Sequence, residues 1–338
     1  MAPGLELVEL RRLISAPIPA RVALAPGDRA LVASGAAFEA GAGLAEVLRD
    51  GRTIEAPGRA ESAPDAALRP GDRWTGPMPG RGRLGRSSST VTSEALYALD
   101  GRWRLAGGEV ADRIEAPVSG TVGEVRPGIA ITIRPDGRAL LGAAAFGAPV
   151  RGRLEIAAPL DGEIRAGAID VRQRGTILVV GARVDAEALT RARAMGVRGV
   201  IVAGLAGKER RDLLASGERQ QAGRHRLDPF AILVLDGSLR RPIASAQMDV
   251  LRALVGVEVG ILVDPPALVV DDASIQLPIP PLDAVRVRSG PLAGEEGRWG
   301  GLAGIHRFAG GVHLDAGRVT LADGTTAIVP LADLERFA

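Results

Sequence analysis

A seven-residue unit written three times constrains this chain more than any other feature. Ala-Pro, a branched apolar residue, any residue, Gly, any residue and a second branched apolar residue occur at 116–122 (APVSGTV), 148–154 (APVRGRL) and 158–164 (APLDGEI). Each copy predicts a short strand, a Gly-centred turn and a second strand, because Pro presets φ and Gly reaches the positive φ of tight turns. Asp100-Gly101, Asp136-Gly137 and Asp161-Gly162 are further turn signals. Strands bounded by turns this often imply a small barrel or sandwich. The 45 Gly and 23 Pro among 338 residues favour the same many-turned architecture over long helices.

Composition excludes several function classes. At 46% hydrophobic the chain can bury cores for two or three domains, but at 3% aromatic those cores must be built from Ala, Val, Leu and Ile. There is no Cys, which rules out disulfides, thiolate metal sites and a Cys nucleophile. The pI of about 9.8 stands beside a formal charge of only +2. Almost nothing titrates between neutrality and pH 10, so the pI is no argument for nucleic acid. Lys208 is the only lysine among 42 basic residues, a bias towards Arg that discounts Arg counts as functional evidence. The N-terminus lacks a signal-peptide pattern and no apolar run is long enough to span a membrane. The expectation is a cytoplasmic protein without membrane association.

The expected organisation is multidomain, β plus α/β. Residues 1–170 form a β domain interrupted at 51–112, 171–264 an α/β lobe with a parallel sheet, 265–281 a Pro-rich linker and 282–338 a terminal barrel. In the first part, Ala25-Pro26-Gly27-Asp28-Arg29 turns between strand-like Arg21–Leu24 and Ala30–Val32. Together with Ile114-Glu-Ala-Pro-Val-Ser-Gly-Thr-Val122, these residues resemble a barrel-sandwich hybrid, the fold of lipoyl and biotinyl carrier domains and of a domain in the C subunit of Rnf-type electron-transport complexes. The resemblance covers roughly 20–50 and 113–165. Carrier domains modify a lysine at a hairpin tip, and none exists in this half, so a covalent lipoyl or biotin group is excluded there. The Rnf-type flavin and cysteine-cluster motifs are missing too. Within the insertion, Trp74 and the run Gly80-Arg-Gly-Arg-Leu-Gly-Arg86 suit either a phosphate-touching loop or a solvated surface segment.

After Gly175 the periodicity changes. Thr176–Val180, Val200–Val202, Phe230–Leu235 and Val257–Val263 are apolar strand-like runs. They alternate with helical patterns at Ala186–Met195, Lys208–Leu214 and Met248–Val255, and Pro265-Pro266 closes the series. Such alternation predicts a parallel sheet buried on both faces. Ligands in such sheets bind beyond the carboxyl ends of strands. Those ends supply Gly181, Arg183 and Asp185, then Gly204-Leu-Ala-Gly207-Lys208, then Asp236. Backbone N–H groups and the sole lysine at a helix start suit an anion, or mark an ordinary helix start. Glu209 stands where a P-loop has Ser or Thr. The strand-then-helix rhythm is similar to swivelling phosphohistidine domains, without their Gly-Gly-x-x-Ser run.

Beyond Leu282, Val285-Arg-Val287-Arg-Ser-Gly290-Pro291-Leu-Ala-Gly294-Glu-Glu-Gly297 resembles a KOW motif, the strand–loop–strand of ribosomal protein L24 and NusG-type transcription factors. That resemblance implies an SH3-like barrel and either RNA or protein contacts. Residues 282–338 hold six Arg against seven Asp and Glu, a poor balance for phosphate. His225, His306 and His313 share no metal-ligand spacing, and no catalytic constellation or cofactor is predicted. The leading expectation is a non-catalytic scaffold that docks a protein partner. The alternatives are a nucleic-acid-binding factor and a protein binding a small anion. Expected partner or nucleic-acid contacts are Trp74, Arg81, Arg83, Arg86, Arg286, Arg288, Arg298 and Trp299.

Overall fold

Strands form along the short apolar runs. The computed structural model describes residues 3–24, 28–48, 53–56, 69, 72–82, 85–99, 102–106, 110–212 and 229–338. They divide between a smaller unit (18–135 with 215–227) and a larger one (1–17, 136–214 and 228–338). The larger unit opens with β1 (Glu9–Arg11) and β2 (Ile14–Ser15). The smaller carries β3 (Ala20–Ala23), β4 (Arg29–Ala30), β5 (Ala37–Phe38), β6 (Gly43–Leu48), β7 (Thr53–Glu55), β8 (Arg73–Gly82) and β9 (Gly85–Leu99). It ends with β10 (Arg102–Ala106), β11 (Val110–Glu115), β12 (Gly120–Arg126) and β13 (Ala130–Pro135). The larger resumes with β14 (Arg138–Leu141), β15 (Ala144–Gly147), β16 (Val150–Ile156), β17 (Thr176–Val179), helix α1 (Ala186–Ala194), β18 (Gly199–Gly204) and β19 (Ala231–Gly237). There follow α2 (Ser245–Ala253), β20 (Glu258–Leu262), β21 (Ala267–Val270), β22 (Ala284–Val287), β23 (Glu296–Arg307), β24 (His313–Leu321), β25 (Thr326–Pro330) and β26 (Leu334–Phe337). The chain is β-rich, and among the described residues no helix is long and apolar enough to cross a membrane.

The smaller unit holds three sheets, ordered β3-β13-β12-β5, β11-β6-β4 and β7-β10-β9-β8. The last lies in the segment read as an insertion, and its β8 and β9 pair antiparallel from Arg73–Glu94 to Gly82–Gly85. Pro77 and Pro79 fit this strand because β8 is an edge, where a missing N–H need not break a ladder. The Ser/Thr/Val-rich β9 supplies the β propensity.

The three copies of the repeated unit occupy three different settings. The first gives a bend at 117–118 and then β12, with Gly120 as its first residue. The second puts Gly152 inside β16, and the third forms a turn at 160–161 with no named strand. The expected strand–turn–strand is therefore corrected for the second and third copies. What the glycines share is close backbone approach: a Cβ at Gly120 meets the Arg134 carbonyl oxygen at 2.3 Å, and at Gly152 that of Gly175 at 2.5 Å.

The larger unit contains a nine-stranded sheet, ordered β15-β19-β18-β17-β16-β20-β21-β14-β2. Only β16, β17, β18 and β19 run parallel. The Val257–Val263 run, expected as a further parallel strand, is β20 and pairs antiparallel with β16 and β21. Pro265-Pro266 sits between β20 and β21, so it forms the corner of a hairpin and does not end the sheet. Consequently the expected linker contains β21, and β14, β15 and β16, expected in the N-terminal barrel, belong here too.

Period-two alternation explains why this sheet is buried on both faces. Ile177, Val179, Ile201, Leu233 and Leu235 join one core with α2 residues Met248 and Leu251. Leu178, Val180, Val200, Val202, Ile232 and Val234 join the other with α1 residues Ala188, Leu189 and Ala192. Helix α1 starts where Asp185 Oδ1 accepts the Ala188 N–H at 2.7 Å. It stops at Gly196 (φ 80°), with the Val197 N–H returning to the Ala192 carbonyl, the bonding of a Schellman cap. Asp185→Ala is expected to cost about 1 kcal/mol of stability in urea titrations.

The six-stranded sheet is ordered β1-β26-β22-β23-β24-β25. Strands β22 to β25 form an antiparallel meander, and β26 returns to pair antiparallel with β22. β1 adds in parallel on β26. Leu5 and Val8, from the start of the chain, complete a core with Val285, Val287, Trp299, Val319, Val329 and Leu334.

Candidate functional site

At the carboxyl ends of β17, β18 and β19 the structure brings together most of the expected ligand residues, but backbone fills the space between them. A Cβ at Gly181 meets the carbonyl oxygens of Pro159 and Gly162 at 2.5 Å, and one at Gly204 meets that of Leu239 at 2.2 Å. The Leu205 N–H donates to the Gly237 carbonyl, and the Ile243 N–H to that of Leu160. Gly207 opens a stretch that is helical over 207–212 in the described residues, and Lys208 is exposed. The buried side chain next to it is Glu209, whose Oε1 lies 3.5 Å from Arg183 Nη2. Glu163 Oε1 stands 3.8 Å from Arg183 Nε. Two carboxylates thus flank one guanidinium, the reverse of the charge an anion needs. Asp185 is the cap of α1 described above.

Asp236 has a different role. It belongs to a buried charge cluster between the nine-stranded and six-stranded sheets. Arg286, 2% exposed, donates from Nη2 to the Pro242 carbonyl at 2.8 Å. Its Nη1 lies 2.7 Å from Asp236 Oδ2, an ion contact without hydrogen-bond alignment, and 3.4 Å from Glu335 Oε1. Arg11 completes the group, donating to Asp236 Oδ1 at 3.2 Å and to the Leu235 carbonyl at 2.7 Å. Glu296 lies 3.9 Å from Arg286 Nε and accepts the Ser245 N–H at 2.8 Å, at the start of α2. Two guanidiniums, the two buried carboxylates Asp236 and Glu335, and the partly exposed Glu296 therefore fasten the sheets together in low dielectric.

Burial holds the Glu335 carboxyl above the usual carboxylate range, against the pull of Arg11 and Arg286. A raised folded pKa means that the folded state binds the proton first. The stabilisation is complete below the unfolded pKa and is lost as pH rises through the folded one. The stability of wild type relative to Glu335→Gln is therefore expected to increase as pH falls through the carboxylate range. Urea titrations of both proteins between neutral and acid pH measure it, and a difference independent of pH contradicts it.

The expected contact residues of the terminal sheet are corrected in part. Arg286 is in the buried cluster and offers no surface. Trp299 is 6% exposed, its Nε1 donates to the Pro3 carbonyl at 3.1 Å, and its ring lies over Gly317. Arg298 is exposed and held by both oxygens of Asp283, at 3.1 and 2.8 Å. Arg288 is half-buried and paired with Glu9. Trp74 is half-buried and packs against Ala56, Ala95, Trp103 and Leu105. Arg81 and Arg86 are directly opposed in the β8–β9 register. Arg83 and His225 lie outside the described residues.

A surface not expected from the sequence is the outer half of the β23–β24 ribbon. Register shifts after Trp299 and after Leu302, with Gly301 (φ 102°) and Gly304 (φ 73°) in left-handed conformations, carry two bulges into β23. Bulges bend a strand and increase its twist. Beyond them Leu302, Ile305 (74% exposed), Val312 and Leu314 are exposed. His306 and Phe308 make an edge-to-face ring contact at 5.2 Å. The signal available in the sequence was a pair of apolar-rich segments either side of Gly310-Gly311.

Among the described residues no cluster of His, Asp and Glu is placed to hold a metal ion. No protein-family model matches the chain, and no curated protein matches it.

Proposed function

We propose that the protein is a non-catalytic scaffold that docks a protein partner through the outer β23–β24 ribbon. The observation that carries this reading is that Leu302, Ile305, Val312 and Leu314 of the β23–β24 ribbon are all exposed, with Val312 and Leu314 on the face of the ribbon that also carries His306 and Phe308. Exposed apolar residues grouped in this way suit an interaction site. The charged residues of the neighbouring sheet face are engaged: Arg286 in the buried cluster, Arg298 with Asp283, Arg288 with Glu9. In this reading the terminal sheet is an SH3-like barrel of KOW type. The four-strand meander, the 3-10 turn at Leu331–Asp333 and the return of β26 to β22 support it. The β3-β13-β12-β5 and β11-β6-β4 sheets support a barrel-sandwich hybrid before it.

Affinity purification at moderate salt, with and without nuclease, tests the scaffold. A stoichiometric protein that survives nuclease and is lost from Val312→Asp/Leu314→Asp is expected. Retention of the same protein by that variant overturns the assignment to the ribbon.

The register that opposes Arg81 to Arg86 at the end of the β8–β9 hairpin favours a second reading, nucleic-acid binding through that hairpin. A steep salt dependence of RNA binding, lost when Arg81, Arg83 and Arg86 are replaced, separates it from the first.

A further inference from the structure

Between β21 and β22 the chain runs Leu277-Pro-Ile-Pro-Pro-Leu282, with neither helix nor strand from Gln276 to Pro281. Pro278, Pro280 and Pro281 have φ fixed near the polyproline II value, and Leu277 and Ile279, each followed by proline, are held extended. Polyproline II has three residues per turn and no internal hydrogen bonds. This segment shows both properties. Burial repeats every third residue: Leu277, Pro280 and Asp283 are half-buried, while Pro278, Ile279, Pro281 and Leu282 are exposed. Among the described residues the backbone of 276–280 makes no hydrogen bond. The segment is nevertheless anchored on both sides. Ile275 and Leu277 pack against the core that contains α2. The Ile275 carbonyl accepts from Arg138 Nη2 at 2.5 Å, and the Ala284 N–H returns to the Pro281 carbonyl at 3.1 Å. One ridge thus lies on the protein and two face out. Pro278 and Pro281 form one outward ridge, and Ile279 (86% exposed) and Leu282 (70% exposed) form the other.

We infer that Leu277–Leu282 is a docking motif for a protein partner with an aromatic-lined groove, of the kind that reads Pro-x-x-Pro segments in the polyproline II conformation. Pro278 and Pro281 stand one turn apart, about 9 Å along the axis. Because the segment is already extended and anchored, little ordering entropy is lost on binding. From Asp271 to Ala284 the only full charges are Asp271, Asp272 and Asp283. An acidic rim on the partner would be repelled, so the groove that fits has a neutral or basic one. The motif shares no residue with the β23–β24 ribbon, and the inference does not depend on the scaffold reading of that ribbon.

Titration of isotope-labelled SH3, WW and EVH1 domains with the unlabelled full chain tests it, read from the resonances of each domain's groove aromatics. Saturable shifts are expected in at least one domain with a neutral or basic rim, and a polyproline peptide should reverse them. Pro278→Ala/Pro281→Ala is expected to weaken this binding at least about tenfold with an unchanged Tm, since both rings are exposed. Ile279→Ser keeps the prolines but removes part of the apolar ridge, and should weaken it in the same direction. Val312→Asp/Leu314→Asp should leave it unchanged. No shift in any of the domains up to roughly 1 mM chain, or shifts indifferent to both the proline and the Ile279 variants, overturns the inference. Shifts that respond only to Val312→Asp/Leu314→Asp place the contact on the ribbon and overturn it equally.

Discussion

Arg286→Met is expected to lower the unfolding free energy by about 3–5 kcal/mol, read from urea denaturation at neutral pH. The guanidinium sits at 2% exposure between Asp236 and Glu335 and donates to the Pro242 carbonyl. Its removal leaves two buried carboxylates that share Arg11 alone, with the Pro242 oxygen unpaired. The energy lost is mainly that of stranding charge, not of losing attraction. Combining Arg286→Met with Asp236→Asn and Glu335→Gln should therefore recover much of the loss, because no uncompensated carboxylate remains. A single-variant loss under about 1 kcal/mol, the scale of a solvent-exposed pair, contradicts burial of the cluster.

Trp299→Ala is expected to cost about 3–5 kcal/mol, the range for deleting a buried aromatic side chain. The ring fills the core formed by Leu5, Val8, Val285, Val287, Val319, Val329 and Leu334, and its N–H ties that core to Pro3. A further measurement isolates the ring. A Cβ at Gly317 meets the Trp299 Cζ3 atom at 2.2 Å, closer than side chains tolerate. Gly317→Ala should thus be destabilising in wild type and nearly neutral when Trp299 is already alanine. Equal costs in the two backgrounds would show that the ring does not lie on Gly317. The Trp299 variant should also loosen the N-terminal segment, measured as faster amide exchange at Leu5 to Val8.

Both residues were expected on a surface, and both are inside. Arg286 and Trp299 lie on either side of the Gly290-Pro291 turn in sequence, and nothing local distinguishes an exposed Arg from one facing Asp236 fifty residues earlier. The apolar residues of the ribbon were equally hard to read. Leu302, Ile305, Val312 and Leu314 have the composition of a core strand, and only the bulges at Gly301 and Gly304 carry them outward. The expected anion-site residues show a related limit. Gly181 and Gly204 look like a phosphate cradle in sequence, but their missing Cβ atoms make room for the backbone of 159–162 and 239.

Local spacing was sufficient for the elements themselves. The α1 cap at Asp185, its stop at Gly196, and the alternation of Ile177, Leu178, Val179 and Val180 are all short-range effects of backbone preference and periodicity; the Asp100-Gly101 turn signal lies outside the described residues. Strand direction and sheet membership are not. Whether β20 runs with or against β16 changes no local hydrophobic pattern, and a glycine that permits a turn is the same residue as one that admits a neighbouring carbonyl. The repeated Ala-Pro units show this most clearly: one motif gives the start of a strand, the middle of a strand and a turn. Burial, pairing and the location of charge were decided by contacts between residues far apart in the chain.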